Sequence, residues 1–295
     1  MPELPEVEVT RRGLQKQVSG RTIIDFTCSG YRLRTAVPQE HLQLHILRQQ
    51  VITIDRRAKY LLLRMAGGAV LVLHLGMTGK IGLMPTTSPR HRHDHLMLAL
   101  DSGQELRLND SRRFGSVAVW SAAEAAACEE RFSRAEGIEP FSAAFTGAQL
   151  FLLATTRRVP VKSLLMNTKL VAGIGNIYAN EILFAARVHP QTPANQLPVA
   201  TWEEIARHSR IILQQAIDAG GSTIADFLGS SGHPGYFQLQ HQVYGRQGLP
   251  CSCCALPIVK TTLAGRATYW CPACQSMDLS LTWLGSKERS FLCLK

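Results

Sequence analysis

The sequence predicts an α+β chain: an N-terminal helix leads into a β-sandwich or barrel, and a helical half follows that closes on a cysteine-bearing hairpin. Three observations predict it. Short β-branched and apolar runs, parted by glycine pairs or polar breaks, fill residues 22–120. Apolar residues then recur at helical spacing between 147 and 219. Finally, Cys251-Ser-Cys-Cys254 and Cys271-Pro-Ala-Cys274 are separated by sixteen residues that contain a turn.

In chain order, Glu3, Glu6 and Glu8 stand where the positive end of a helix dipole favours carboxylates, and Val7 to Leu14 continues amphipathically. Strand-like runs follow at 22–28, 51–57, 60–65, 69–75, 95–100, 105–108 and 116–120. Gly67-Gly68 and Asp101-Ser102-Gly103-Gln104 supply breaks between them. Residues 121–140, rich in Ala and Glu, read as a helix and linker. The expected segments are therefore 1–130, 131–242, the cysteine finger 243–275 and a tail, 276–295. Helices are expected at 147–155, 161–167, 177–186 and 199–219, the last stopped by Gly220-Gly221. The polar, Gly-rich stretch 229–235 has the composition of a lid.

With 295 residues, 45% of them hydrophobic, the chain can bury a sizeable core, which excludes a disordered polymer. Lys+Arg 32 against Asp+Glu 22 leaves a net charge of +10, and the pI is near 9.4. The excess is spread over Arg11-Arg12, Arg56-Arg57-Lys59, Arg90 to His95, Arg112-Arg113 and Arg157-Arg158, which suits a groove for a polyanion; a ribosome-associated or merely soluble basic protein is the competing reading. No apolar run has the length of a membrane span and no secretion signal is present, so a cytosolic protein without disulfides is expected. Cys28, Cys128, Cys253 and Cys293 are read as small apolar or surface residues.

The stretch Pro2-Glu3-Leu4-Pro5-Glu6 carries the first candidate chemistry. A methionine before a small residue is normally removed, which exposes Pro2 as a secondary amine. Such an amine titrates near about 8, roughly two units or more below lysine, so a nucleophilic neutral fraction exists at cellular pH. The Glu3 carboxyl beside it can pass a proton to a leaving group or an opening ring. The competing reading is that these acids only cap a helix.

The two cysteine pairs are spaced for a closed tetrahedral zinc. Four thiolates leave no open position, so the ion is expected to be structural. Cys253 complicates the first pair, but only Cys251 with Cys254 repeats the gap of Cys271 with Cys274. Between them, Ala264-Gly265-Arg266-Ala267 reads as a turn that projects Arg266, or leaves it a solvated charge.

Lys169 to Tyr178, with Gly173 and Gly175, is a turn between helices where backbone can approach a phosphate at a helix N-terminus. Alternatively the glycines serve close helix packing and Asn176 is an N-cap. Met77, Arg112 and Phe114 sit at strand ends beside glycines, as wedges for an unstacked base or as ordinary core.

Taken jointly, these motifs resemble the formamidopyrimidine-DNA glycosylase family of bacterial base-excision repair enzymes. The resemblance spans nearly the whole chain: Pro2 to Glu6, Arg57-Ala58-Lys59-Tyr60, His74 to Met77, His93-Asp94-His95, Arg112 to Gly115, Gly173 to Tyr178, Gly221-Ser222-Thr223, Pro234 to Phe237, Val243 to Arg246 and the four-cysteine finger. The related endonuclease VIII branch typically opens with Gly where this chain has Leu4, which favours the formamidopyrimidine branch.

The resemblance implies an N-terminal helix with a β-sandwich, and a helical domain bearing a helix-two-turn-helix and a zinc-finger hairpin, with double-stranded DNA in the cleft between. It implies Pro2 as the Schiff-base nucleophile, Glu3 as general acid with Glu6 in support, Lys59 for β-elimination and phosphate contact, and Arg266 for the phosphate beside the lesion and δ-elimination. His74 and Asn176 would join the kinked backbone, and His93, Arg112, Arg158 and Lys162 match DNA-binding positions. Met77, Arg112 and Phe114 would fill the vacated space, while Ser222, Thr223 and Tyr244 surround the everted base. Cys251, Cys254, Cys271 and Cys274 would hold one Zn2+.

The expected activity is that of a monomeric bifunctional DNA glycosylase and AP lyase that removes 8-oxoguanine and ring-opened purines in the bacterial cytosol. A paralogue with a shifted lesion range and a non-catalytic DNA-binding protein are the alternatives. The tail beyond Cys274 and the extra Cys253 depart from the family pattern.

Overall fold

Helix α1 (Leu4–Val18) starts where the sequence gathers carboxylates and a proline. Pro5 occupies its first turn, and the Glu3 N–H donates to Glu6 Oε2 at 2.9 Å as part of a capping box. Leu4, Val7, Leu14 and Val18 on one side are fully buried. The computed structural model describes residues 2–220 and 241–277. The 221–223 and 234–237 motifs, the 229–235 stretch, Ser222, Thr223 and the tail from 278 onward lie outside those residues.

Two antiparallel sheets follow. One has the order β2 (Val51–Arg57), β3 (Tyr60–Met65), β4 (Val70–His74), β8 (Ser116–Trp120); the other has β1 (Ile23–Cys28), β6 (Asp94–Leu100), β7 (Gln104–Asn109), β5 (Lys80–Pro85). Leu61, Leu63, Leu71 and Leu73 of the first sheet share one core with Leu96, Leu98, Leu106 and Leu108 of the second and with Val7 and Leu14 of α1. The alternation of strands therefore faces inward as read.

Leu62, Val70 and Val72 point to the opposite face and form a second cluster with Tyr60, Trp120 and Ala125 of α3 (Ala125–Ala135). That explains why β3 and β4 read as nearly continuous apolar runs. Helix α3 buries none of its own residues. It is held by Glu129, paired with Arg64 at 2.7 Å, and by Phe132, whose ring lies 4.8 Å from that of Tyr60.

Two elements escape the sequence reading. Helix α2 (Gln39–His45) buries only Leu42, and Pro38 at its start offers no capping side chain. Strand β5 is a sheet edge with Gly82 inside and Pro85 at its end, residues that weaken a strand signal and are tolerated at an edge.

Beneath the loop before β6 lies a buried ionic cluster. Arg107, 3% exposed, pairs with Glu105 at 2.9 Å and Asp94 at 3.3 Å, and donates to the carbonyls of Pro89 and Ser88 at 2.7 Å each. Asp94 also accepts from the His91 N–H at 2.9 Å and from Asn109 Nδ2 at 2.8 Å.

The helical half comprises α4 (Gly147–Ala154), α5 (Val161–Leu165), α6 (Asn176–Ala185) and α7 (Val199–Asp218), then the hairpin β9 (Val259–Leu263) and β10 (Arg266–Trp270). Phe145, Leu150, Leu165, Ile174, Ile182, Trp202 and Ile205 are fully buried in it. The chain divides into two compact units, one built on Met1–Ala135 and the other on Glu136–Gln215 with the finger. Among the described residues, no helix is long and apolar enough to cross a membrane.

Removing one partner of a buried pair leaves the other charge uncompensated. Asp94→Ala is expected to lower unfolding free energy by about 3 kcal/mol, read from the urea midpoint; an unchanged midpoint would show that the carbonyls alone satisfy Arg107.

Candidate active site and nucleic-acid interface

In the first unit, Pro2 is half-buried at the head of α1 and Glu3 beside it is 1% exposed. Lys59, 8% exposed, follows Ala58, which takes φ +53° in the turn between β2 and β3. This turn is tied to α1 through Glu8. Its Oε1 accepts from Arg11 and Arg12 at 2.9 Å each, and its Oε2 accepts from Arg56 at 3.3 Å. Arg56 in turn donates to the Ala58 carbonyl at 3.0 Å. Burial pushes the Glu8 carboxyl up, but the three guanidinium groups outweigh it and hold it below its usual range. Gln15 adds a second tie by accepting the Ile54 N–H at 2.7 Å.

Asp110 organises the loops that carry the wedge candidates. It is fully buried, and its Oδ1 accepts from Thr78 Oγ1 at 2.5 Å and the Arg112 N–H at 3.3 Å, while Oδ2 accepts the Gly115 N–H at 2.7 Å. Its own N–H donates to the His93 carbonyl at 3.0 Å, and its carbonyl bonds His95 Nε2 at 3.0 Å. The carboxylate thus joins two loops, and the backbone of the same residue ties in the third.

Gly76, at φ +64°, lets two of these loops touch: a Cβ there would stand 2.4 Å from the Phe114 carbonyl carbon. Met77 is half-buried, whereas Arg112 and Phe114 are exposed, with the guanidinium 4.8 Å above the Phe114 ring. His93 is half-buried in the adjoining loop. The sequence gives Asp110 no role of its own; its carboxylate partners lie 32 positions before it and two and five after.

His74 ends β4 with its ring 4.6 Å from that of Tyr60. Its Nδ1 accepts the Gly76 N–H at 3.1 Å, which puts the ring proton on Nε2. Burial, then the charges of Arg34 and Lys59, push its pKa down to about 4, so at neutral pH it is an uncharged donor.

In the second unit, Arg158 is exposed on the loop between α4 and α5. Arg266 is exposed at the start of β10, after a two-residue turn in which Ala264 and Gly265 both take positive φ, 47° and 71°. Asn176 is not the N-cap: Gly175 is, and Asn176 Nδ2 donates to the Ala267 carbonyl at 3.0 Å. Tyr244 packs 5.2 Å from Tyr269, and its N–H, with those of Gln242 and Val243, donates to Glu181 of α6 at 2.8 to 3.0 Å.

Lys162, expected to meet DNA, is buried under the finger: its Nζ donates to the Ala267 carbonyl at 2.9 Å and Thr268 Oγ1 at 2.7 Å. No periodicity in α5 signals a partner more than a hundred positions later.

The four expected ligand cysteines converge, with all Sγ atoms within 4.8 Å of one another and none in a disulfide. Cys251 and Cys274 are 3.9 Å apart and Cys254 and Cys271 3.4 Å. Metal–sulfur bonds of about 2.3 Å in a tetrahedron need sulfurs about 3.8 Å apart, so the residues fit a four-coordinate structural metal. Burial, then the neighbouring Cys271 and Cys251, push the Cys274 thiol far above its usual range, a cost that a divalent cation reverses. Cys253 departs from expectation. It is exposed on the knuckle, outside the cluster, and disulfide-bonded.

Two outcomes follow from this geometry. Stability due to neutral His74 is complete above about pH 6.5 and is lost as pH falls toward 4, by up to about 3 kcal/mol, because the unfolded imidazole binds its proton first. His74→Phe should therefore flatten the acid side of the urea-midpoint profile; parallel profiles would refute the burial of an uncharged ring. Cys271→Ser should release the bound metal, read by elemental analysis, and lower the melting temperature; full metal retention would show that another residue ligates.

Formamidopyrimidine-DNA glycosylase profiles match the chain twice, the N-terminal domain over residues 1–117 and the H2TH domain over 137–227. The formamidopyrimidine-DNA glycosylases of Nitrosococcus oceani and Halorhodospira halophila are 42% and 43% identical over 275 residues, covering 93% of this chain and all of theirs. A crystal structure of a Lactococcus lactis Fpg mutant in complex with Fapy-dG-containing DNA is similar at a TM-score of 0.85 and 34% identity, covering 93% of this chain and 100% of that one. With matching profiles over both halves and such relatives along nearly its full length, the chain belongs to the formamidopyrimidine-DNA glycosylase family.

Proposed function

We propose that this protein excises oxidised purines from duplex DNA through a Schiff base on Pro2 and then nicks the strand by β,δ-elimination. The observation that carries the reading is the head of α1, where a proline at the chain start stands beside a buried glutamate whose backbone is held by Glu6. The Lactococcus lactis relatives bound to DNA containing Fapy-dG or an abasic site support the substrate class, as does the charge of +10.

Freed of Met1, the Pro2 nitrogen attacks C1′, and the bond from C1′ to the base breaks with its electron pair leaving on the base, which takes up a proton. Glu3 gives a proton to the ring oxygen as its bond to C1′ opens, and an iminium results. That cation acidifies C2′: loss of a proton there expels the 3′ phosphate. Loss of the C4′ proton then expels the 5′ phosphate, and water releases Pro2.

Lys59 serves the β-step and a phosphate, and Arg266 the phosphate that leaves in the δ-step. His74, as a neutral Nε2–H donor, and Asn176 meet the bent backbone together with His93 and Arg158. Met77, Arg112 and Phe114 occupy the space of the flipped nucleotide, and Ser222, Thr223 and Tyr244 surround the base. The finger metal is zinc, held by Cys251, Cys254, Cys271 and Cys274; when bound it supplies a structural cross-link. The segments 1–130, 131–242, 243–275 and 276–295 act as catalytic domain, helix-two-turn-helix domain, finger and tail in a monomer of the bacterial cytosol.

Borohydride reduction on an 8-oxoguanine duplex should trap a covalent adduct whose mass places the sugar on the N-terminal proline, and Pro2→Gly should reduce the adduct at least about tenfold. An adduct on a lysine, or methionine retained on the active protein, would overturn the mechanism.

A further inference from the structure

The strand that begins with Arg266 is gripped immediately after it by two helices. Lys162 of α5 donates to the Ala267 carbonyl at 2.9 Å and Thr268 Oγ1 at 2.7 Å. Asn180 of α6 accepts the Tyr269 N–H on Oδ1 at 2.8 Å, and its Nδ2 donates to the Asn176 carbonyl at 2.6 Å. Both side chains are 1% exposed.

Burying an ammonium and an amide is costly unless each proton and lone pair is used, so a role of mere filling would be served better by apolar residues. Each of these groups binds backbone of the strand, Lys162 the Ala267 carbonyl as well as the Thr268 hydroxyl and Asn180 the Tyr269 N–H, which fixes the strand's height and register. On the other side, the turn Ala264-Gly265 pairs Arg266 with Leu263 and leaves no slack. Ala267 and Arg266 are adjacent, with α-carbons about 3.8 Å apart, so displacement of the gripped residue passes directly to the exposed arginine.

We propose that Lys162 and Asn180 are positioning residues that set Arg266 on the departing phosphate and thereby govern how far strand cleavage proceeds from the β- to the δ-elimination product. This deepens the proposed function and rests on its assignment of Arg266. The β-step draws its driving force from the iminium, whereas expulsion of the second phosphate calls for a guanidinium in bidentate register, which tolerates little misplacement.

The test compares full-length wild type, Lys162→Met, Asn180→Leu, Asn180→Asp and Arg266→Ala on one abasic-site duplex, and resolves β- from δ-products by gel. The ratio of the two products does not depend on how much of each preparation is folded. Lys162→Met and Asn180→Leu should lower the δ-to-β ratio at least about tenfold, while Asn180→Asp, which keeps the acceptor for the Tyr269 N–H but loses the donor to the Asn176 carbonyl, falls between the leucine variant and wild type. If Arg266→Ala lowers the ratio but Lys162→Met and Asn180→Leu do not, the positioning role is refuted and the proposed function stands. A leucine and an aspartate at 180 that behave alike refute the role of the Tyr269 hydrogen bond. An unchanged ratio in Arg266→Ala removes the assignment of Arg266, and this inference with it.

Discussion

The proposed chemistry depends on holding still the end of a polypeptide, ordinarily its least ordered part. Here the terminus is the lead-in to a helix. The Glu3 N–H, which a helix start leaves without an intrahelical partner, is taken by Glu6 at 2.9 Å. Leu4 and Val7 are fully buried on the same turn, so the end is anchored by the sandwich core as well as by the cap. The secondary amine proposed at Pro2, one residue earlier, would inherit that order, which lowers the entropy cost of aiming it at a carbon. Glu8 carries the order further, to the turn that bears Lys59, through Arg56 and the Ala58 carbonyl.

The same device recurs through the molecule: a buried polar side chain spent on backbone, with exposed functional groups a residue or two away. Asp110 holds the loops of Met77, Arg112 and Phe114; Glu181 gathers three successive N–H groups that end at Tyr244; Lys162 and Asn180 hold the strand of Arg266. Loops that must meet a partner cannot be stabilised by burying the residues that meet it. Their backbone is therefore fixed from below, where a satisfied hydrogen bond to a charged group contributes about 1.5–3 kcal/mol. The exposed side chains stay available to a partner while the backbone beneath them is pinned.

Charge is graded along this framework. Exposed arginines give long-range attraction to a polyanion, while His74, pushed down to about 4 by burial and by Arg34 and Lys59, gives a hydrogen bond without adding charge where two cations already stand. In the finger the same logic runs in reverse. Four thiols converge where a divalent cation, when bound, would offset the mutual repulsion of their thiolates.

Much of this was legible in the residues themselves. Seven of the eight strands of the sandwich, α1 and the main helices announce themselves because alternation and helical spacing are properties of adjacent residues. The Cys251–Cys254 and Cys271–Cys274 pairs do so because coordination geometry demands a short fixed gap. Strand β5 and α2 do not, since an edge strand with Gly82 and Pro85 and a helix with one buried residue carry almost no period. Local pattern alone was enough for most of the elements, for the four cysteines that converge and for the candidate nucleophile. It took the folded chain to show that Asp110 joins three loops through its carboxylate and backbone, that Lys162 faces the finger strand, and that Gly175 in place of Asn176 caps α6. A hydrogen bond between groups a hundred positions apart leaves no local pattern, and its partner exists only once the chain has folded.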